Sequence, residues 1–224
     1  SQRPSRPDFL KTTKEECSLA VALVLDESGS MSGSQGDVAR AGLAVADPLD
    51  KLGSPCLVIG PRTGRRSGYR YEVLLDESQK KVFHRKDGVD IDMFKDWKES
   101  LSSCIARFMQ VKAEGYTPLE DGIQFALKEL NTRPEKHRVV MVVTDGVPDN
   151  PDVVRRQVRI ASEAGVHIIG IGVGFCGYAV TDLFPKNLVL EDFKTLPVSL
   201  LKILDDIMFP KFAKKMRLDK KDAF

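Results

Sequence analysis

Asp26, Ser28 and Ser30 leave the end of an apolar run at alternate positions, and their side chains offer only oxygen. A carboxylate and two hydroxyls, with no sulfur or imidazole among them, suit a hard divalent cation such as Mg²⁺, Mn²⁺ or Ca²⁺ rather than zinc. The run before them, Leu19-Ala20-Val21-Ala22-Leu23-Val24-Leu25, is short and apolar at every position, which predicts a buried strand. The same chemistry recurs twice downstream. Thr117 sits in the turn-like segment Gly115-Tyr116-Thr117-Pro118, and Asp145 ends a second apolar run, Val139 to Thr144, just before Gly146. Three separated segments can thus bring oxygen ligands to one edge of a sheet.

The elements that must position these residues alternate. Strands are expected at 18–26, 54–60, 137–145, 166–173 and 187–190. Helical patterns cover 37–46, 92–112, 119–130, 153–164 and 197–209, the second of these from the spacing of Phe94, Trp97, Leu101, Cys104, Ile105 and Phe108. Two short runs, 69–75 and 81–84, flank a polar turn and predict an antiparallel hairpin at the sheet edge. Such alternation implies a doubly wound α/β fold, a mostly parallel sheet with helices on both faces. Ligands of such sheets bind at the carboxyl ends of strands, where Asp26 and Asp145 stand.

With 224 residues, the chain is most simply one α/β domain with short extensions, and its net charge of +2 does not imply a nucleic-acid partner. No apolar run has the length of a membrane span, and no signal peptide is visible. Cys17, Cys56, Cys104 and Cys176 lack paired metal-ligand spacing and are expected as free thiols.

Asp-x-Ser-x-Ser at 26–30, Thr117 and Thr-Asp-Gly at 144–146 resemble the metal-ion-dependent adhesion site (MIDAS) of a von Willebrand factor A (vWA) domain. The resemblance implies a vWA domain over 17–210, preceded by a leader or linker at 1–16 and followed by a basic tail at 211–224. It implies metal ligation by Asp26, Ser28, Ser30, Thr117 and Asp145. In that family the hydroxyls coordinate directly and the aspartates often act through water. A position left to water is then open to a carboxylate from a protein partner. Glu27, Met31, Gln35, Tyr116, Pro148 and Asp149 lie beside the ligand positions and are candidates for the partner-binding rim. Pro148-Asp149-Asn150-Pro151 also reads as a turn and N-cap.

Leu23 to Met31 and the stretch Asp192 to Pro197 are similar to the vWA modules of cobalt and magnesium chelatase subunits and of NorD- and CbbO-type proteins. That similarity implies a cytoplasmic, non-catalytic adaptor for a MoxR-type AAA+ ATPase. The alternatives are an extracellular adhesion domain and a Mg²⁺-dependent phosphoryl-transfer or hydrolytic enzyme, for which only Glu27 is near enough to act as a base.

Other signals are weaker. Gly172-Val173-Gly174-Phe175-Cys176-Gly177 matches a dinucleotide fingerprint, but too few residues follow for the helix that would hold a pyrophosphate. Asp90 and Asp92 resemble half of a phosphotransfer motif, with Asp92 expected at a helix start. Arg62, Arg65, Arg66 and Arg70 are expected as a solvated basic cluster on a flexible loop.

Overall fold

Every residue of Leu19–Leu25 is buried, and this strand, β1, is the centre of a seven-stranded sheet. The computed structural model describes residues 18–33, 35–63, 70–72, 89–174, 177–190 and 196–208. β1 pairs in parallel with β2 (Cys56–Thr63) on one side and β5 (His137–Thr144) on the other. Beyond β5 the sheet continues in parallel through β6 (Val166–Val173) and β7 (Lys186–Leu190). Beyond β2 it continues antiparallel through β4 (Val89–Lys95) and β3 (Arg70–Glu72). The chain builds outward from β1 on one side, then returns to β1's other side with β5. The strand order therefore reverses between β1 and β5, where the carboxyl ends open a crevice.

Alternation along β1 divides the core. Leu19, Val21, Leu23 and Leu25 pack against α1 (Gln35–Lys51), α2 (Leu101–Phe108) and α6 (Leu196–Met208). Ala20, Ala22 and Val24 face α3 (Leu119–Leu130), α4 (Pro151–Glu163) and α5 (Ala179–Leu183). The small residues let α3 approach closely. A methyl group at Gly122 would stand 2.8 Å from Val24 and 2.6 Å from Pro61, so only glycine fits there.

The strand at 166–173 and the helix at 119–130 form with the expected bounds, and the other parallel strands shift by one to three residues at their ends, most at β2, which runs to Thr63 rather than Gly60. Three expectations fail. The helix expected over 92–112 is instead a strand, β4, followed by a helix of eight residues. Val89, Ile91 and Met93 are buried on one face of β4, so a period of two holds where the 3.6-residue pattern also fitted. Asp90 and Asp92 accordingly lie mid-strand, opposite Arg62 and Gly60 of β2. Second, α1 runs to Lys51 rather than ending at 46, because Leu49 is buried in the core and Pro48 is carried inside the helix. Third, Arg62 is a fully buried β2 residue rather than part of a solvated cluster. Its guanidinium lies 3.2 Å from Asp92 and 3.5 Å from Asp90.

β3 lies within the run expected as a strand at 69–75 and makes the sheet edge antiparallel, but its partner is β4, and the hairpin arm expected at 81–84 lies outside the described residues. So do the segments 1–16 and 211–224 and the cysteines at 17 and 176. Cys56 and Cys104 are buried free thiols, and burial pushes Cys56 up to about 12. Among the described residues no helix is long and apolar enough to cross a membrane. After β6 the chain turns through Gly174 (φ +70°), and the backbone of Gly177 packs on Gly172. The helix that follows, α5, has only five residues, in keeping with the argument against a dinucleotide site.

Candidate metal centre

β1 and β5 end side by side, in register from Leu19 with His137 to Leu25 with Val143. That register carries Asp26 and Asp145 out at the same edge, and the Asp26 amide donates to the Val143 carbonyl (2.9 Å). Asp26 is wholly buried. Its Oδ1 accepts from the Ser28 amide at 2.8 Å, which bends the chain back over the carboxylate. Its Oδ2 accepts from the Thr144 hydroxyl at 2.6 Å. Burial raises its pKa to about 6, against the pull of those two donors, and the nearby charge of Asp145 adds to the rise.

A short 3-10 turn, Gly29–Met31, then sets the two serines together. Ser28 Oγ and Ser30 Oγ are 3.0 Å apart, and Ser30 Oγ donates to Asp145 Oδ1 at 2.8 Å. Neighbouring ligands of an octahedral Mg²⁺ stand about 3.0 Å apart, given oxygens at roughly 2.1 Å from the metal. The observed spacings match two adjoining edges of such an octahedron, so Ser28, Ser30 and Asp145 fit a divalent cation. Among the described residues there is no cluster of three His, Cys, Asp or Glu that could hold a metal ion. Neither Asp26 nor Asp145 has a basic partner among the described residues.

Thr117 reaches the same edge through its backbone. Its amide donates to Asp149 Oδ1 (3.2 Å), and its carbonyl accepts from the Asp149 amide (2.9 Å). Two residues before Thr117, Gly115 (φ +77°) accepts at its carbonyl from the Gly29 amide (3.0 Å). A side chain at Gly115 would collide with Thr63, whose Oγ1 accepts from the Tyr116 amide (2.7 Å). The segments carrying Ser28 and Ser30, Thr117, and Asp145 are thus tied to one another.

The rim candidates divide. Tyr116 and Asp149 are exposed, and Gln35 is half-buried with its Oε1 accepting from the Gly33 amide. Glu27, Met31 and Pro148 are not rim residues. Glu27 and Met31 turn inward, at 0% and 1% exposure, and Pro148 is buried where the chain enters α4. There Asn150 caps the helix, accepting from the Val153 amide, as the turn reading expected. Sequence reasoning missed Thr144, whose position before Asp145 in Thr-Asp-Gly was the available signal. It also missed Val147, which stands 60% exposed two residues beyond Asp145.

Residues 9–175 of the chain match the family described as the cobalamin biosynthesis protein CobT VWA domain. The chain belongs to this family. The VWA fold is also that of a von Willebrand factor type A structure from Catenulispora acidiphila, with a TM-score of 0.56 and 18% identity over 85% of this chain and 42% of that one. Proximal thread matrix protein 1 from the mussel byssus, a form of which has a zinc-occupied MIDAS motif, superposes with a TM-score of 0.55 and 18% identity over 87% of this chain and 46% of that one. Manganese-loaded TRAP protein of Plasmodium vivax gives 0.59 and 13% over 86% and 74%. The VWA domain thus spans less than half the length of the first two of these structures. No curated protein sequence matches the chain.

Proposed function

We propose that this VWA domain is a divalent-cation-dependent protein-binding module. Asp26, Ser28, Ser30, Thr117 and Asp145 would hold the ion, Mg²⁺ first and Mn²⁺ or Ca²⁺ as substitutes. The observation that carries the reading is the chain of contacts Ser28 Oγ–Ser30 Oγ–Asp145 Oδ1, at 3.0 and 2.8 Å, with no basic side chain of the described residues closing it. A bound divalent cation supplies a Lewis-acidic position that a partner's carboxylate can occupy. The protein's part is to hold neutral hydroxyls toward the ion, so that little of its charge is offset, and to keep Asp26 oriented through Thr144 and the Ser28 amide.

The reading is non-catalytic. Glu27, the one side chain near enough to be weighed as a base, is fully buried, with Oε1 engaged by the Lys112 amide. Family membership favours a chelatase-like setting, in which the module is a cytoplasmic adaptor for a MoxR-type AAA+ ATPase. The free thiols of Cys56 and Cys104 are compatible with that compartment. The test is Mn²⁺ titration followed by electron paramagnetic resonance, together with Mg²⁺-dependent capture of such an ATPase. Wild type should bind both, and Asp26→Ala neither. Capture that persists in a chelator would remove the metal from the account.

A further inference from the structure

We propose that Glu27 is a positioning residue for the metal centre: it fastens the 112–117 segment, and with it Thr117, onto the loop that carries Ser28 and Ser30. The inference rests on the metal-binding reading above.

Between the end of α2 at Phe108 and the start of α3 at Leu119 the chain runs ten residues without helix or strand. Its course is set from outside. Glu27 takes two of its amides: Lys112 N–H donates to Glu27 Oε1 at 3.0 Å, and Glu114 N–H donates to the Glu27 carbonyl at 2.8 Å. One residue thus holds alternate positions of the segment, as a neighbouring strand would, once through its side chain and once through its backbone. The next bonds along, Gly29 to Gly115 and Thr63 to Tyr116, continue the same attachment up to Thr117.

The pocket around Glu27 is shaped for a side chain that points inward. Gly60 of β2 lies against its carboxyl group, and any side chain there would overlap Glu27 Oε2 and the Phe94 ring. Glu27 is 0% exposed, so it cannot meet a partner protein directly. Its neighbours in sequence face the metal edge, and its own carboxyl group faces the segment that brings the third hydroxyl. An acceptor at this point is what the geometry requires. Glutamine supplies one at the same reach, and alanine does not.

The experiment compares wild type, Glu27→Gln and Glu27→Ala by Mn²⁺ titration and by amide hydrogen exchange of the metal-free proteins. Glu27→Gln should keep the Mn²⁺ affinity within about threefold and keep residues 112–117 protected. Glu27→Ala should bind at least about tenfold more weakly and lose protection at 112–117, with α4 and α5 unchanged. Should Glu27→Ala fail to fold, Lys112→Pro removes the same hydrogen bond from an exposed position and should weaken Mn²⁺ to a similar degree. Wild-type affinity in folded Glu27→Ala, or in Lys112→Pro, overturns the inference alone. Equal weakening of the glutamine and alanine variants also overturns it, since acceptor geometry would then not be what matters. A wild-type protein indifferent to Mn²⁺ overturns the metal-binding reading and this inference together.

Discussion

Two pairs of aspartates, each with one buried and one half-buried member, belong to the same sheet, and they are closed differently. At the antiparallel side, Asp90 and Asp92 of β4 face Arg62 of β2, whose guanidinium is fully buried 3.5 and 3.2 Å from them, with Glu114 at 3.8 Å. At the switch point, Asp26 and Asp145 gather the hydroxyls of Ser28, Ser30 and Thr144, and no basic side chain of the described residues joins them. The first group contains its own cation. The second has the oxygen donors for one and does not supply it. On the proposed reading the contrast separates a structural ion pair from a binding site: each is built round a buried aspartate, but only the second waits for an added ion.

The contrast can be broken most severely at Arg62. Replacing it by methionine leaves the β4 carboxylates beside an apolar group, and loss of one partner of a buried pair costs about 3–5 kcal/mol. Urea unfolding of Arg62→Met should show that loss whether or not Mg²⁺ is present. A loss below about 1 kcal/mol would mean that Arg62 is not what neutralises those carboxylates. The switch point should respond in the opposite way. Wild type in Mg²⁺ at a hundred times its dissociation constant should gain about 2.7 kcal/mol. In a chelator Asp26→Asn should be more stable than wild type at pH 7 by roughly 1–2 kcal/mol, because it removes a carboxylate that burial makes costly to ionise. It should gain nothing from Mg²⁺. Thermal melts in chelator and in Mg²⁺ give both numbers.

Much of the centre was legible because each donor lies next to a feature that sequence shows well. Asp26 and Asp145 end apolar runs, and the serines follow at fixed spacing. Glu27 was misread because its partners are main-chain amides, one of them 85 residues away in sequence, and no side-chain pattern marks a backbone donor. Arg62 was misread for a related reason: of its partners, Asp92 is expected at a helix start and Asp90 in no element, whereas both lie in β4. The period-two signal of Val89, Ile91 and Met93 overlapped a helical pattern beginning at Phe94, and burial on the sheet decided between them. The length of α1 could not be read across Pro48, since the burial of Leu49 is a property of the packed core.

Acidity tests the switch point without a mutation. The Asp26 pKa is raised from 3.8 to about 6, so the folded protein holds this proton more tightly than the unfolded chain does. The destabilisation from ionising it is absent below about pH 4 and complete above about pH 6. From this group alone, metal-free protein should lose stability as pH rises through that window. Bound metal reverses the trend, because ion and proton compete for the carboxylate. Apparent Mg²⁺ affinity should fall about tenfold per pH unit below 6. At the same Mg²⁺ concentration the gap between melts in chelator and in Mg²⁺ should therefore narrow from about 2.7 kcal/mol at pH 7 to about 1.4 kcal/mol at pH 5. A Mg²⁺ gain as large at pH 5 as at pH 7 would show that Asp26 is not engaged by the ion.

Thr144→Val is the finest of these probes, since it changes one buried hydroxyl for a methyl of similar size. The hydroxyl donates to Asp26 Oδ2 at 2.6 Å and so holds the Asp26 pKa below the level that burial alone would set. Its removal should raise that pKa further and weaken the metal by about 1 kcal/mol, the net worth of one hydrogen bond. The Mg²⁺ effect on melting should then first appear at a higher pH than in wild type, while the response to Arg62→Met stays unchanged, because the two groups share no side chain. If Thr144→Val instead lowered stability equally with and without Mg²⁺ and left that onset pH fixed, Thr144 would belong to the packing of β5 rather than to the metal centre. The distinction drawn between the two groups would then have to exclude it.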